Sequence, residues 1–183
     1  MAPSRIVVMG VAGSGKSSVA IELAARRGVR FVDADDLHSA ANVAKMASGS
    51  PLTDDDRWPW LAAVREAMRT EQNVVVACSA LKRVYRDALR ATGDLTFVHL
   101  TIDRDEAIRR VGERTEHFMG AAMVDSQFAA LEAPTDDEAD VVSVDASGEL
   151  ISVVERVEAA LLTLVRQGTR TGAVLSAPRS RRR

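Results

Sequence analysis

Eight consecutive residues near the start of the chain have the types and the spacing of a phosphate-binding loop. They run from Gly10 to Ser17 (GVAGSGKS) and match the pattern G-x-x-x-x-G-K-[ST]. Glycines let such a loop turn tightly and bring backbone N–H groups close to phosphate oxygens. Lys16 would reach the β- and γ-phosphates of a nucleotide, and Ser17 would offer its hydroxyl group to Mg²⁺. The alternative is a plain glycine-rich turn, but that would not require Lys16.

Two aspartates could supply the carboxylates that phosphoryl transfer needs. Many phosphate-loop proteins place an aspartate after the third strand, but this chain has Cys78 and Ser79 there, so the acid must come from elsewhere. Asp33 and Asp35 follow the second predicted strand, and both point the same way if that strand persists. We assign Asp33 to the magnesium shell with Ser17, and Asp35 to the proton of the acceptor hydroxyl. The alternative is a pair of turn-forming aspartates.

Three arginines could bind anionic groups. Arg57 stands beside two tryptophans and could grip a carboxylate in a bidentate way. Arg110 and Arg114 are four residues apart, so they share one face of a predicted helix that leads into the loop 116–120. They could clamp nucleotide and transferring phosphate when that loop closes. A solvated basic side chain is the alternative at each position, and the acids before Arg57 are interpreted as favourable charges at a helix start.

Strand and helix patterns alternate along the chain. The predicted strands are 5–9, 30–32, 73–78, 95–100 and 140–144. The predicted helices are 18–27, 42–47, 56–70, 82–91, 103–115, 121–131 and 148–166. This alternation predicts a mostly parallel, right-handed α/β sheet, with ligands beyond the carboxyl ends of its strands. Two patterns compete for the start of helix 56–70. Thr53 and Asp56 resemble a capping box, whereas Pro59 is expected in the first turn. The proline favours a start near Asp55 or Asp56.

The composition excludes several classes of function. Residues 166–183 contain six arginines and no acid, so the rest of the chain has 18 basic against 26 acidic residues, a formal net charge of −8. An acidic body argues against a broad nucleic-acid face, and no apolar run approaches the ~20 residues of a membrane span. Cys78 is the only cysteine, which excludes an intrachain disulfide and suits a reducing compartment. We therefore expect a cytoplasmic domain without nucleic-acid or membrane partners.

Four blocks of sequence resemble the gluconokinases, the small phosphate-loop kinase family that phosphorylates D-gluconate. The second and third blocks are far more specific than the phosphate loop, which many kinases share. The blocks are residues 9–17; 33–38 with Asn42, Lys45, Met46 and 49–61; 77–82 with Tyr85, Arg86, Asp87, Leu89 and Arg90; and Arg114, 117–119, Ser126, Gln127, Leu131, Glu132 and Pro134.

The resemblance implies transfer of phosphate from ATP, with Mg²⁺, to D-gluconate, giving 6-phosphogluconate. It also implies a P-loop kinase fold related to shikimate kinase, often a homodimer, with a small mobile lid at about 115–125. By this similarity the candidate catalytic residues are Lys16, Asp35 and Arg114. The candidate acceptor-binding residues are Asp35, His38, Arg57, Ser79, Lys82 and His117. The candidate nucleotide-binding residues are Gly10, Val11, Ala12, Gly13, Ser14, Gly15, Lys16, Ser17, Ser18 and Arg110.

Some features depart from the family pattern. Ser39 replaces a usual proline, which predicts a looser turn, and Glu116 and Gly120 change the expected stiffness of the lid. The kinase domain is expected over residues 1–165, and the Arg-rich tail 166–183, outside the resemblance, is expected to be disordered. Two alternatives therefore stay open: a kinase for another small hydroxy or sugar acid, and a non-catalytic switch that binds ATP.

Overall fold

The computed structural model describes the backbone of residues 4–113 and 117–174 and the side chains within 5–113 and 121–166. The described residues form one five-stranded sheet. Its strands are β1 (Ser4–Met9), β2 (Arg30–Asp33), β3 (Asn73–Ala77), β4 (Leu95–Thr101) and β5 (Val141–Asp145). Every pairing is parallel, and the spatial order is β2-β3-β1-β4-β5. The predicted α/β fold with a parallel sheet is confirmed.

Helices cover both faces of this sheet. They are α1 (Lys16–Arg27), α2 (Ala40–Ala47), α3 (Asp54–Arg69), α4 (Arg83–Arg90), α5 (Arg104–Gly112), α6 (His117–Ala130) and α7 (Leu150–Val174). Alternate residues of β1 show the layering, because successive side chains of a strand point to opposite faces. Ile6 and Val8 join the apolar cluster under α1 and α7, whereas Val7 and Met9 join the cluster under α3 and α4. Burial on both faces explains the continuous apolar strands.

Helix α3 begins earlier than its proline predicts. The Thr53 hydroxyl accepts a hydrogen bond from the Asp56 N–H (3.3 Å), and the Asp56 carboxylate accepts one from the Thr53 N–H (2.7 Å). This capping box fixes the first turn at Asp54. Pro59 therefore lies in the second turn, and the expectation that it belongs to the first turn is wrong. The reciprocal cap outweighs the hydrogen bond that Pro59 cannot donate.

Three other boundaries differ from the sequence patterns by three residues or more. Helix α5 ends at Gly112 rather than near 115, consistent with the low helix propensity of glycine. The backbone of 117–120, expected as a loop, belongs to α6. Helix α7 continues to Val174, past the expected end at Arg166, through a segment without the proline that would stop it. Ser39, expected to loosen its turn, caps α2 by accepting a hydrogen bond from the Asn42 N–H.

Candidate active site

The phosphate-binding loop joins β1 to α1 and is shaped by close backbone packing. Gly10 and Gly13 both have positive φ, +143° and +81°. A Cβ atom added to Gly10 would lie 2.7 Å from the carbonyl oxygen of Leu100, and one added to Gly13 would lie 2.5 Å from that of Ala107. Only glycine fits at either position. The loop is thus pressed against the end of β4 and the start of α5, as its glycine pattern requires.

The predicted magnesium pair is assembled at the mouth of this loop. The Ser17 hydroxyl, in the first turn of α1, donates a hydrogen bond of 2.9 Å to the Asp33 carboxylate at the end of β2. Lys16 extends its ammonium group to the carbonyl oxygen of Val11 (3.0 Å) in the loop itself. A hydroxyl and a carboxylate are hard oxygen donors, and Mg²⁺ at a phosphate site needs only one or two protein ligands. The residues present therefore fit Mg²⁺.

Asp35 lies beyond the end of strand β2. Strand β2 ends at Asp33, and the chain enters a 3-10 turn, Ala34–Leu37. The Asp33 carboxylate caps this turn by accepting a hydrogen bond from the Asp35 N–H (3.1 Å). The two aspartates were expected to point the same way only if the strand persisted, and that condition is not met, because this local bond ends the extended conformation. Desolvation by the surrounding protein and the negative charge of Asp33 raise the pKa of Asp35, although its side chain reaches solvent at the mouth of the site.

Trp60 joins this turn to helix α3. Its indole N–H donates a buried hydrogen bond of 2.6 Å to the carbonyl oxygen of Ala34. Its ring stacks on the imidazole of His38, with centroids 4.4 Å apart. Burial lowers the pKa of His38, so the ring is held neutral at pH 7. The contact brings the predicted acceptor-binding residue His38 beside α3, the helix that carries Arg57.

A group of four side chains forms what we term the Asp54 cluster: Asp54, Arg57, Lys82 and Tyr85. The ammonium group of Lys82 lies 2.9 and 3.0 Å from the two carboxylate oxygens of Asp54. The Tyr85 hydroxyl donates a hydrogen bond to the same carboxylate, and Arg57 Nη1 lies 3.7 Å from it. The structure therefore brings the predicted pair Arg57 and Lys82 together. The acid that links them was interpreted from sequence only as a favourable helix-start charge.

These contacts shift the pKa values within the Asp54 cluster. The hydrogen bonds from Tyr85 and Lys82 hold the pKa of Asp54 below its usual range. The Asp54 hydrogen bond raises the pKa of Lys82. Burial, followed by the hydrogen bond to Asp54, raises the pKa of Tyr85. At neutral pH the cluster therefore contains two cations, one anion and a neutral phenol.

A buried ion pair braces the loop that carries Ser79 and Lys82. Both side chains of the pair, Arg86 and Glu138, are 1% exposed and form a bidentate contact of 2.6 and 2.7 Å. Arg86 Nη1 also donates to the carbonyl oxygens of Ala80 and Leu81. Ala80 has a positive φ of +42°, a conformation that few residues with a Cβ adopt. The pair therefore stabilises a strained turn behind the acceptor side.

The remaining predicted residues are distributed unevenly. Ser79 lies beside the phosphate loop, because its carbonyl oxygen accepts a hydrogen bond from the Gly10 N–H (3.3 Å). Arg110 bonds to Glu106 within its own helix (2.7 Å). The prediction that Arg110 and Arg114 share one helical face stays a prediction, because it depends on the placement of Arg114. Arg114 lies outside the described residues, as does the side chain of His117.

Sequence reasoning missed several residues that shape the site. Gln127, on α6, accepts a hydrogen bond of 2.7 Å from the N–H of Ala12 in the phosphate loop. Asp54, Tyr85, Trp60 and Arg86 were not assigned any role in the site. All five residues stand within the blocks that resemble the gluconokinases, which was the available signal.

The sequence matches a known family over most of its length. A family model described as "AAA domain" matches residues 6–134. The gluconokinase of Gluconobacter oxydans is 48% identical over 143 residues, covering 74% of this chain and 79% of that protein. The thermosensitive gluconokinase of Escherichia coli is 38% identical over 169 residues, covering 90% of each chain.

Solved structures agree with these relatives. A gluconokinase from Sinorhizobium meliloti has a TM-score of 0.82 and 44% identity, and the match covers 96% of this chain and 98% of that one. An unliganded sugar kinase from Janibacter has a TM-score of 0.79 and 40% identity, over 86% of this chain and 94% of that one. The fold and the sequence therefore point to the same family. Among the described residues, the structure contains no helix that is long and apolar enough to cross a membrane.

Proposed function

The chain belongs to the gluconokinase family, and we propose that it transfers the γ-phosphoryl group of ATP to a hydroxyl group of D-gluconate, producing 6-phospho-D-gluconate. One observation carries the proposal. The segment 33–38 begins with the carboxylate that contacts Ser17 and ends with the imidazole that stacks on Trp60 of α3. A single short turn thus connects a phosphate-binding loop to a cluster rich in cations. This arrangement suits a nucleotide on one side and an anionic acceptor on the other.

On the nucleotide side, this chain would mainly position charge. Phosphoryl transfer depends on in-line alignment and charge neutralisation more than on covalent chemistry by the protein. The N–H groups of the loop and the ammonium group of Lys16 would hold the phosphates, after Lys16 leaves the Val11 carbonyl. Ser17 and Asp33 would hold Mg²⁺, which supplies neutralisation of the phosphate oxygens when bound. Arg110 and, by the family resemblance, Arg114 would add positive charge at the phosphates.

On the acceptor side, Asp35 would receive the proton of the attacking hydroxyl group. Its raised pKa makes it a better proton acceptor than an ordinary aspartate. His38 and Ser79 would bind sugar hydroxyl groups, and the family resemblance adds His117 to this set. Arg57 would bind the acceptor carboxylate, since a guanidinium group matches its two oxygens in a bidentate way, and Lys82 would line the acceptor side.

The proposal is tested by ADP release from the purified protein with ATP and Mg²⁺, measured with and without D-gluconate. We expect gluconate-dependent release that Lys16→Ala abolishes. The matched control is Lys45→Ala, because Lys45 is paired with Asp56 at the start of α3 rather than with the phosphate loop. Release that ignores gluconate would overturn the assigned acceptor. ATP binding without any acceptor-dependent release would instead indicate a nucleotide-binding switch.

We also propose that the enzyme works in the cytoplasm as a homodimer. A reducing compartment is supported by the lone Cys78, which is buried and whose thiol has a pKa raised to about 12 by desolvation. A thiol with this pKa is inert at neutral pH. The homodimer rests on the family resemblance, and sedimentation equilibrium of the full chain tests it. A monomeric mass at micromolar concentration would contradict it.

A further inference from the structure

The Asp54 cluster contains an acid that the proposed reaction does not itself require. Asp54 contacts Lys82 with both carboxylate oxygens, at 2.9 and 3.0 Å. Its nearest approach to Arg57 is longer, 3.7 Å, and only to Nη1. The acid therefore pairs closely with one of the two cations and loosely with the other. Asp54 therefore neutralises mainly Lys82, and the charge of Arg57 is left for a ligand.

The charges of the cluster leave one positive charge without a close partner inside it. Lys82 and Arg57 contribute two positive charges, Asp54 contributes one negative charge, and the phenol of Tyr85 is neutral because its pKa is raised. Hydrogen bonds from Tyr85 and Lys82 lower the pKa of Asp54, which keeps this carboxylate ionised at neutral pH. A monoanionic acceptor would therefore bring the cluster to neutrality. A dianion would leave an excess negative charge.

Arg57 is the cation of the cluster that Asp54 does not hold closely. Its described hydrogen bonds, to the Leu52 carbonyl oxygen (2.6 Å) and to the Tyr85 hydroxyl (3.5 Å), both use Nη1. A guanidinium group has five N–H donors, so most of its hydrogen-bonding capacity remains for a ligand. The positive charge of Arg57 also acts on the imidazole of His38, a proposed acceptor-binding residue.

We propose that Asp54 is a specificity-determining residue of the acceptor site. Because Asp54 neutralises Lys82, the site keeps a single uncompensated positive charge. That charge selects monocarboxylates over dicarboxylates. This inference rests on the proposed function and deepens it, because it defines the charge of the acceptor. Asp54 acts through Lys82 and Arg57 rather than on the reacting atoms. Neutralising it should raise the positive charge of the site by one.

The test compares Asp54→Asn with Asp55→Asn as a matched control. Asp55 is the next residue of α3 and is exposed to solvent, so both variants lose one negative charge from the same helical turn. The probes are D-gluconate and D-glucarate, which differ by a second carboxylate. We expect the glucarate-to-gluconate ratio of kcat/KM to rise about tenfold in Asp54→Asn and less than about twofold in Asp55→Asn, as for one partly exposed charge. An unchanged ratio, or an equal rise in both variants, would overturn the proposal.

A binding measurement keeps this test separate from that of the proposed function. Titration calorimetry gives Kd for gluconate and for glucarate without nucleotide, and Asp54→Asn should favour glucarate by the same factor. If the wild type binds both acids but phosphorylates neither, the proposed function fails while the Kd ratio still decides the role of Asp54. Should Asp54→Asn lose its thermal unfolding transition, Asp54→Ser provides the second neutral variant, because serine is tolerated at a helix start. It carries the same expected ratio.

Discussion

The two sides of the site are built in different ways. The nucleotide side is formed by one continuous loop whose shape follows from glycine dihedral angles and close backbone contacts. The acceptor side is formed by side chains, because Asp54 and Lys82 stand 28 residues apart in sequence and meet through a salt bridge. A backbone cradle tolerates little substitution but needs few distant partners. A side-chain cluster can change its charge, and hence its ligand, while the fold persists.

The segment 33–38 connects the nucleotide side to the acceptor side, so we expect the largest effect on activity from a substitution there. Asp35→Asn should lower kcat by about 10²–10⁴-fold, the range for loss of a general base. ATP binding should change little, because the loop and Lys16 are untouched. Steady-state kinetics with nucleotide-binding titrations checks this. A variant that keeps more than a tenth of kcat would remove Asp35 from the chemistry.

The raised pKa of Asp35 also predicts how stability and activity depend on pH. The pKa of Asp35 is higher in the folded protein than in the unfolded chain, so Asp35 favours folding at pH values below its unfolded pKa. This contribution to stability is lost as the pH rises through the folded-state pKa. Asp35→Asn should therefore raise Tm at pH 7 more than at pH 4. Activity of the wild type should fall as pH drops through the same raised pKa. A Tm difference that grows toward acid pH would contradict the assigned shift.

Substitution within the loop tests whether backbone packing sets the nucleotide side. Gly13→Ala should destabilise the protein by about 2–4 kcal/mol, because it adds a clash with Ala107 to the strain of a positive φ. Gly15→Ala is the matched control. Gly15 also has a positive φ, +87°, but a Cβ there meets nothing within 4 Å, so only the strain of about 1–2 kcal/mol remains. Urea unfolding of both variants checks the difference, and equal losses would mean that packing contributes little.

Substitution of Arg57 tests whether side chains of the Asp54 cluster bind the acceptor. Arg57→Lys keeps the charge but loses the planar fork, so we expect KM for gluconate to rise about tenfold with kcat nearly unchanged. Arg65→Lys, on the same helix and assigned no contact in the site, is the control. Initial rates over a gluconate series, at saturating ATP, measure both parameters. A fall in kcat with unchanged KM would place Arg57 at the transferred phosphate instead.

The smallest effect is expected at the hydrogen bond between Gln127 of α6 and the Ala12 N–H of the phosphate-binding loop. Gln127→Leu removes the acceptor for the Ala12 N–H, which should cost about 1 kcal/mol in the free energy of unfolding. Gln127→Glu keeps an acceptor oxygen but adds a negative charge beside the phosphates, so it should preserve stability and raise KM for ATP. Chemical denaturation and ATP titration distinguish the two. Equal stability of all three proteins would show that water replaces Gln127.

Much of the fold follows from patterns within short windows. The five strands and their parallel pairing were predicted, because doubly covered strands form apolar runs that alternate with helices. The boundaries were weaker where two local rules competed. At α3 the Thr53 capping box prevailed over Pro59, and after β2 the Asp33 side chain ended the strand before Asp35. The energies of such local alternatives are close, so a single side-chain hydrogen bond to the backbone decides between them.

The sequence by itself determined the phosphate loop, the family and the parallel α/β class, since glycine spacing and hydrophobic periodicity act over a few residues. Only the tertiary structure decided which charges meet. It paired Asp54 with Lys82, enclosed Arg86 with Glu138, and attached Gln127 to the loop. A carboxylate carries no local mark of its partner, because ion pairs form wherever folding brings opposite charges within reach. The charge of the acceptor site, and with it the proposed choice of ligand, is therefore a property of the folded chain.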